Sequence, residues 1–248
     1  MDKVFTRDRI ERYLHYTEAV RQVPSLRVYI TMHNRPLAQV EEMFRRANPF
    51  ADVRCYNGHT MDTWIQAGHS FGELADELKR SGDEAWTYYN IRGSFFQPKW
   101  VRIINGFYLW ISPLKANMPW TYYATSGNPL DDTDGPTTRG HDFVYAVPDP
   151  EDPSRLVSTR HWEAFREGAD DMRYLLTLEE LIAEQPAAPE AVAARAWLDR
   201  LRTELTPDPK RLQAIDKESP ILVDWSGLLD GKRFRQFRLE AAEHIGVL

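Results

Sequence analysis

Short strand-type segments alternate with helical segments along the first half of this chain, and this alternation limits the folds open to it. Four segments rich in β-branched and aromatic residues are predicted as strands: 26–32, 52–57, 84–90 and 118–124. Their starts lie roughly 25 to 35 residues apart, the length of one strand–helix unit. The strands are therefore expected to be parallel neighbours in sequence order, with right-handed crossovers.

Capping and periodicity place the helices. Ser70 is followed three residues later by Glu73, the signature of a capping box, and that helix is expected to end at Ser81 before Gly82. The other predicted helices cover 8–23, 37–47, 98–114, 158 onward, 191–205 and 231–245, with a short extra strand at 141–147. A complete (β/α)8 barrel takes eight units in about 250 residues, and this chain shows four. It is either half a TIM-type barrel or an open sheet of four or five strands.

Composition excludes several classes of function. The net charge is −6, from 31 basic and 37 acidic residues without a basic block, which argues against a nucleic-acid partner. No apolar run approaches the roughly 20 residues that span a bilayer, so no membrane partner is expected. The first residues do not resemble a signal peptide. The lone Cys55 excludes an internal disulfide, and no phosphate loop or zinc motif points to a cofactor or metal.

Aromatic residues are concentrated in one stretch of the chain. Between Trp86 and Tyr123 there are 12 in 38 residues, against a chain-wide aromatic content of 12%. Aromatic faces stack on the C–H faces of sugars, and they also fill protein cores. Core packing accounts for many of them, and for Trp86 it is at least as good an explanation as ligand binding.

The segment from Ser158 to Leu175 favours the barrel. It resembles the helix that closes the barrel in glycoside hydrolase family 123 and in a related bacterial glycoside-hydrolase-like domain of unknown function. The matching positions are Ser158, Arg160, Glu163, Arg166, Glu167, Gly168, Asp171, Tyr174 and Leu175. Upstream, residues 86–89 are similar to the family's penultimate strand, 102–110 to its next helix, and 119–123 to its last barrel strand. Order and spacing fit from about Arg9 to Leu181.

The resemblance implies an α/β fold, the C-terminal half of a TIM-type barrel over residues 1–184, with a helical extension over 185–248. The family's members are similar to enzymes that remove N-acetylgalactosamine by substrate-assisted hydrolysis, an exception to the two-carboxylate scheme. In such relatives an adjacent Asp-Glu pair follows the fourth strand, before a helix like residues 8–23. This chain starts inside that connection, so the pair is expected to be missing and the chain alone inactive. Full-length relatives are often exported.

Because barrel chemistry lies at the carboxyl ends of strands, candidate substrate-binding residues are sought there. They are Tyr88, Asn90, Trp120, Tyr122, His33 and Asn57, with no catalytic residue assigned. Their rings and amides suit a carbohydrate, and the resemblance implies an N-acetylhexosaminide. His33 and His59 lack a third ligand, so no metal site is expected. Asp83 and Glu84 precede their strand and are interpreted as solvated charges at the opposite, stabilising end.

Two other interpretations stay open. One is a non-catalytic carbohydrate-binding or scaffold protein with the same architecture, and the other is an open α/β domain with an unrelated small ligand. A half-barrel also exposes two strand edges, which favours self-association. Charged residues of the closing helix are spaced for intrahelical ion pairs that would lock it: Arg160, Glu163, Arg166, Glu167 and Asp170.

Overall fold

The computed structural model describes residues 7–32, 37–89, 98–119, 123–124, 143–215 and 220–248. Within them the protein is α/β, with one parallel sheet whose four strands are neighbours in sequence order. These strands are β1 (Tyr29–Met32), β2 (Val53–Asn57), β3 (Glu84–Tyr88) and β4 (Leu114–Asn117). Two small antiparallel pairs follow: β5 (Tyr123–Ala124) with β6 (Phe143–Val144), and β7 (Ala146–Pro148) with β8 (Leu156–Ser158).

Helices occupy most of the remaining described chain. They are α1 (Arg7–Arg21), α2 (Leu37–Ala47), α3 (Gly58–Gln66), α4 (Phe71–Ser81), α5 (Pro98–Ile103), α6 (Leu109–Ile111), α7 (Arg160–Glu184), α8 (Pro189–Leu205), α9 (Pro209–Gln213), α10 (Pro220–Trp225) and α11 (Gly231–Val247). A π-helical turn, Ile104–Tyr108, joins α5 to α6. No helix in the described ranges is long and apolar enough to cross a membrane.

Three of the four predicted strands are confirmed, and the four strands of the larger sheet pair in parallel. The fourth prediction is wrong: β4 covers Leu114–Asn117 rather than 118–124. Pro119 explains the early end, because proline has no N–H to give to the ladder. The last ladder bond runs from the Met118 N–H to the Thr87 carbonyl, 2.7 Å. Tyr123 and Ala124 pair with Phe143–Val144 instead, in the antiparallel sheet.

The predicted capping of α4 is confirmed. The Ser70 hydroxyl accepts the Glu73 N–H, and the Glu73 carboxylate accepts the Ser70 N–H. Gly82 closes the helix with φ of 76°, a left-handed conformation that costs glycine little. Helix α3 was not predicted. It begins directly after β2, with Asn57 as its N-cap, whose side chain accepts the His59 N–H at 3.0 Å.

The parallel sheet has two different faces because side chains alternate along each strand. The helix-covered face carries Ile30, Met32, Arg54, Tyr56, Ala85 and Thr87, all buried. There the Phe44 ring of α2 lies 4.6 Å from the ring of Tyr56. The aromatic face carries Tyr29, Thr31, Val53, Cys55, Asn57, Glu84, Trp86 and Tyr88.

Helix α7 packs tightly on the α5–α6 segment. A Cβ added at Gly168 would collide with the backbone of Arg102, and one added at Gly106 would lie 2.8 Å from the Gly168 carbonyl oxygen. Glycine is required at both positions because the helix backbones touch. The predicted ion pairs of this helix form around Arg166, which contacts the carboxylates of Glu163, Glu167 and Asp170.

A second network on α7 was not predicted. Asp171 is buried and binds Arg102 of α5 at 2.5 and 2.8 Å. It also accepts hydrogen bonds from the guanidinium of Arg238 of α11, at 2.6 and 2.9 Å. The aspartate of the resembling motif therefore ties three helices together, and Arg102 also stacks over the ring of Phe234 at 4.5 Å.

The chain divides into two compact units. The first comprises Met1–Tyr88, Pro113–Met118 and Pro207–Pro220, and includes the whole parallel sheet. The second comprises Tyr89–Ser112, Pro119–Thr206 and Ile221–Leu248. The domain limits predicted from the sequence separate a partial barrel, 1–184, from a helical extension, 185–248. They stay a prediction.

Candidate functional site

Two of the six candidate residues end neighbouring strands and lie side by side. Asn57 is the last residue of β2 and Tyr88 the last of β3, and the parallel register pairs them directly. Both belong to the aromatic face, and both are buried. The Asn57 amide lies close enough to the Tyr88 phenol to act on its pKa. The structure therefore brings an amide and a phenol together at the carboxyl end of the sheet.

The remaining four candidates, His33, Asn90, Trp120 and Tyr122, lie outside the described residues. Their convergence on one cleft with Asn57 and Tyr88 stays a prediction.

Burial sets the chemical state of Tyr88. Loss of hydration raises the pKa of the phenol above its ordinary value, and the nearby Cys55 thiol adds to this. The nearby Asn57 amide acts in the opposite direction without cancelling the shift. Tyr88 is consequently a neutral hydroxyl at physiological pH, able to donate and accept hydrogen bonds but not to act as a base.

The first turn of α3 adds polar groups at the same strand end. Thr60 and Asp62 are both fully buried. The Nδ1 atom of His59 lies 3.9 Å from the Asp62 carboxylate, close enough for attraction when His59 is protonated but too long for a hydrogen bond. His59 is recognisable from the sequence as a residue that follows a strand, and Asp62, three positions later at the start of the helix, is a signal of the same kind that was not predicted.

The interpretation of Asp83 and Glu84 is corrected in part. They do lie at the amino end of β3, opposite the candidate site. Asp83 is not solvated, however, because its carboxylate binds the buried guanidinium of Arg54 at 2.5 Å. Glu84 accepts hydrogen bonds from Arg27 at 3.0 Å and from the indole of Trp86 at 3.2 Å. These bonds, with Arg27 foremost, hold the pKa of Glu84 below its ordinary value.

A second adjacent Asp-Glu, Asp76 and Glu77, was overlooked in the sequence. It lies within α4 rather than at a strand end. Glu77 is engaged with Arg54 at 2.5 Å and with the amide of Asn48 at 3.1 Å. These residues border a cleft of about 420 Å³ whose lining is Phe44, Arg45, Asn48, Pro49, Arg54, Glu77, Arg80 and Ser81. Asp83 and Glu77 both bind the buried Arg54 and so have a structural role. Neither Asp83-Glu84 nor Asp76-Glu77 is therefore placed to act on a substrate.

In the described part of the chain, no group of three or more His, Cys, Asp or Glu side chains is arranged to hold a metal ion. Comparisons with protein-family models, with curated proteins and with solved structures find no match to this chain. The resemblance to glycoside hydrolases consequently depends on the motif residues themselves.

Proposed function

We propose that this chain is a glycoside-hydrolase-like carbohydrate-binding protein, built as the C-terminal half of a TIM-type (β/α)8 barrel. The observation that carries the proposal is the Asn57–Tyr88 pair at the carboxyl ends of adjacent parallel strands. In barrels of this class the substrate is bound at that end, by residues that follow the strands.

The architecture supports the barrel part of the proposal. Four parallel strands lie in sequence order, helical segments separate each from the next, and helices of the first unit cover one face. This is the arrangement of four consecutive units of a (β/α)8 barrel, in which the other face of the sheet lines the interior. The closing helix α7 adds the glycine and aspartate positions of the resembling motif, each with a structural role.

The chemistry of the pair suits a sugar. A neutral phenol hydroxyl and a primary amide can donate and accept hydrogen bonds from vicinal hydroxyl groups or from an acetamido group. Small-molecule sites of this kind combine apolar or aromatic walls with a few placed polar groups. An N-acetylhexosaminide is the ligand that the resemblance implies.

Binding rather than hydrolysis is the proposed activity of this chain. The residues that follow the four strands begin His33-Asn34, Gly58-His59, Tyr89-Asn90 and Met118-Pro119, without an adjacent Asp-Glu. A general acid at the leaving oxygen is needed for an enzymatic rate. The proposed role of these strand ends is therefore substrate binding, and a carbohydrate-binding or scaffold protein with barrel architecture is the second candidate function.

Binding of N-acetylgalactosamine, measured by saturation-transfer NMR or calorimetry, tests the proposal. Tyr88→Phe removes one hydroxyl and is expected to weaken binding about tenfold, because the lost hydrogen bond leaves a buried partner unsatisfied. Asn57→Ser keeps a capping side chain for α3 and should also weaken binding. Tyr16→Phe, on the exposed face of α1, is the matched control and should bind as wild type. A wild-type chain that binds no N-acetylhexosamine, or a Tyr88→Phe variant with unchanged affinity, would refute the proposal.

A further inference from the structure

A cleft on the helix-covered side of the first unit has a charged lining that the strand-end pair does not use. It lies between the carboxyl end of α2, the first residues of β2 and the carboxyl end of α4, and its volume is about 420 Å³. Pockets that hold small molecules have volumes of about 300–1,000 Å³. The charged residues of the lining are three arginines and one glutamate: Arg45, Arg54, Arg80 and Glu77. The cleft therefore has room for a small ligand, and cations outnumber anions in its lining.

One wall of the cleft is a fixed charge network. The side chain of Arg54 is 2% exposed and binds the carboxylates of Glu77 and Asp83, each at 2.5 Å. Glu77 also accepts a hydrogen bond from the amide of Asn48 at 3.1 Å. Asp83 does not line the cleft itself. Because Arg54 is already held by two carboxylates, it forms part of the wall, and ligand recognition falls to the other two arginines.

Arg80 is a cation without a carboxylate partner. Among the described residues it forms no ion pair, and its Nε donates to the main-chain carbonyl oxygen of Asp76 at 3.3 Å. The N–H groups of its two terminal nitrogens are therefore available to an acceptor in the cleft. The side chain is exposed and belongs to the last turn of α4, so it can adjust to a ligand without disturbing the core.

Arg45, across the cleft on α2, can also contact a ligand at small cost. It pairs with Glu42 on its own helix at 2.7 Å, but the two side chains are 71% and 48% exposed. Exposed ion pairs of this kind contribute little to stability, because water screens the charges and the long side chains lose entropy when they pair. Arg45 can therefore turn from Glu42 to an anion in the cleft. Two guanidinium groups from different helices can then bind the same anion.

The geometry and the remaining lining favour an organic phosphate. Guanidinium groups that approach from two helices suit a tetrahedral phosphate, whose oxygens point in different directions, better than a carboxylate, whose oxygens lie in one plane. Phe44 and Pro49 supply an apolar wall for C–H groups. The carboxylate of Glu77 is 37% exposed and can accept a hydrogen bond from a hydroxyl group. These contacts describe a phosphate attached to a small hydroxylated molecule.

We infer that this cleft binds a small hydroxylated phosphate ester, such as a sugar phosphate. The phosphate contacts Arg80 and Arg45, and a hydroxyl group of the ligand contacts Glu77. The cleft lies near the amino end of β2, whereas the Asn57–Tyr88 pair lies at the carboxyl ends of the strands. The inference is therefore independent of the proposed function.

Calorimetric titration of the full chain with glucose 6-phosphate, inorganic phosphate and glucose tests the inference. Glucose 6-phosphate is expected to bind more tightly than inorganic phosphate, and its affinity should fall as salt concentration rises, because the main contacts are ionic. Arg80→Gln should weaken its binding about tenfold, since charge-assisted hydrogen bonds to the phosphate are lost. Lys79→Gln is the matched control, because it removes the same charge from the adjacent position of α4, outside the cleft lining. This variant should bind as wild type.

The possible results support or overturn the site. A loss of affinity in Arg80→Gln but not in Lys79→Gln would support it, whereas equal losses would show only a general effect of charge. An Arg80→Gln variant with a lower Tm but unchanged affinity would show that Arg80 serves only to offset the dipole of α4, and would overturn the inference. Glucose that binds as tightly as glucose 6-phosphate would also overturn it, because the phosphate would then contribute nothing. Equal affinity for inorganic phosphate and the ester would overturn the contacts assigned to Phe44, Pro49 and Glu77.

Discussion

Gly168 is the position at which one added methyl group has a large and well-defined expected effect. On helix propensity alone, Gly168→Ala would stabilise α7 by about 1 kcal/mol. The backbone of Arg102 already occupies the space that the new Cβ needs, and the obstructing atoms are main chain rather than the end of a flexible side chain. The helices must therefore separate, and such overpacking typically costs about 1–3 kcal/mol beyond the propensity gain.

The consequence should be visible in thermal and urea unfolding. For a chain of this size, Gly168→Ala is expected to lower Tm by roughly 3–10 °C. Separation would also lengthen the bonds between Arg102 and Asp171 across the same helix contact. Gly72→Ala is the matched control, because a Cβ there meets only the Ser70 hydroxyl oxygen at 3.6 Å, an ordinary contact. It should leave stability unchanged or raise it by up to about 1 kcal/mol. If Gly168→Ala proves as stable as Gly72→Ala, the backbone contact between α5 and α7 is not real.

Three further outcomes are expected. Asp171→Asn should lower the free energy of unfolding by about 1–3 kcal/mol in urea titrations, because two guanidinium groups lose a buried carboxylate; equal stability would mean that water replaces it. Burial raises the pKa of Tyr145 to about 12, so its contribution to stability is complete below pH 10 and is lost as pH rises from 10 to about 12. Tyr145→Phe should flatten that part of the stability profile, and an unchanged profile would contradict the assignment. On the proposed function, the chain is not expected to hydrolyse aryl β-N-acetylgalactosaminides, because the resemblance assigns it no general acid and such help is worth about 10²–10⁴-fold. Turnover abolished by both Asp83→Asn and Glu84→Gln would place the chemistry at the other end of the sheet.

Local signals predicted the parts of the fold that depend on neighbouring residues. Helix α4 is bounded by the Ser70–Glu73 capping box and by Gly82, and strands β1 and β2 follow from β-branched and aromatic residues in the strands themselves. In each case the residues that determine the structure lie within a few positions of it. The prediction of the fourth strand failed because it gave weight to the aromatic segment 119–123. The actual strand, Leu-Lys-Ala-Asn, has little intrinsic β preference and is held by pairing with β3.

The parts that sequence could not supply depend on partners far apart in the chain. Asp83 was interpreted as solvated because nothing near it in sequence indicates that Arg54, 29 residues earlier, is buried beside it. Asp171 and Arg102 are 69 residues apart. For the candidate site, the alternation of strands predicted that Asn57 and Tyr88 would lie at the same end of the sheet. Only the register shows that they are direct neighbours.

Asn57 caps α3 with its side chain and lies directly beside Tyr88, and this limits how the proposed site could be diversified. Most replacements at this position would weaken the start of α3 at the same time as they altered ligand contacts. Ser, Thr and Asp would keep a cap but shorten or charge the side chain. On the proposed function, selection or engineering for a different ligand would therefore proceed through Tyr88 and the segment after β3, while Asn57 stays fixed because α3 begins on it.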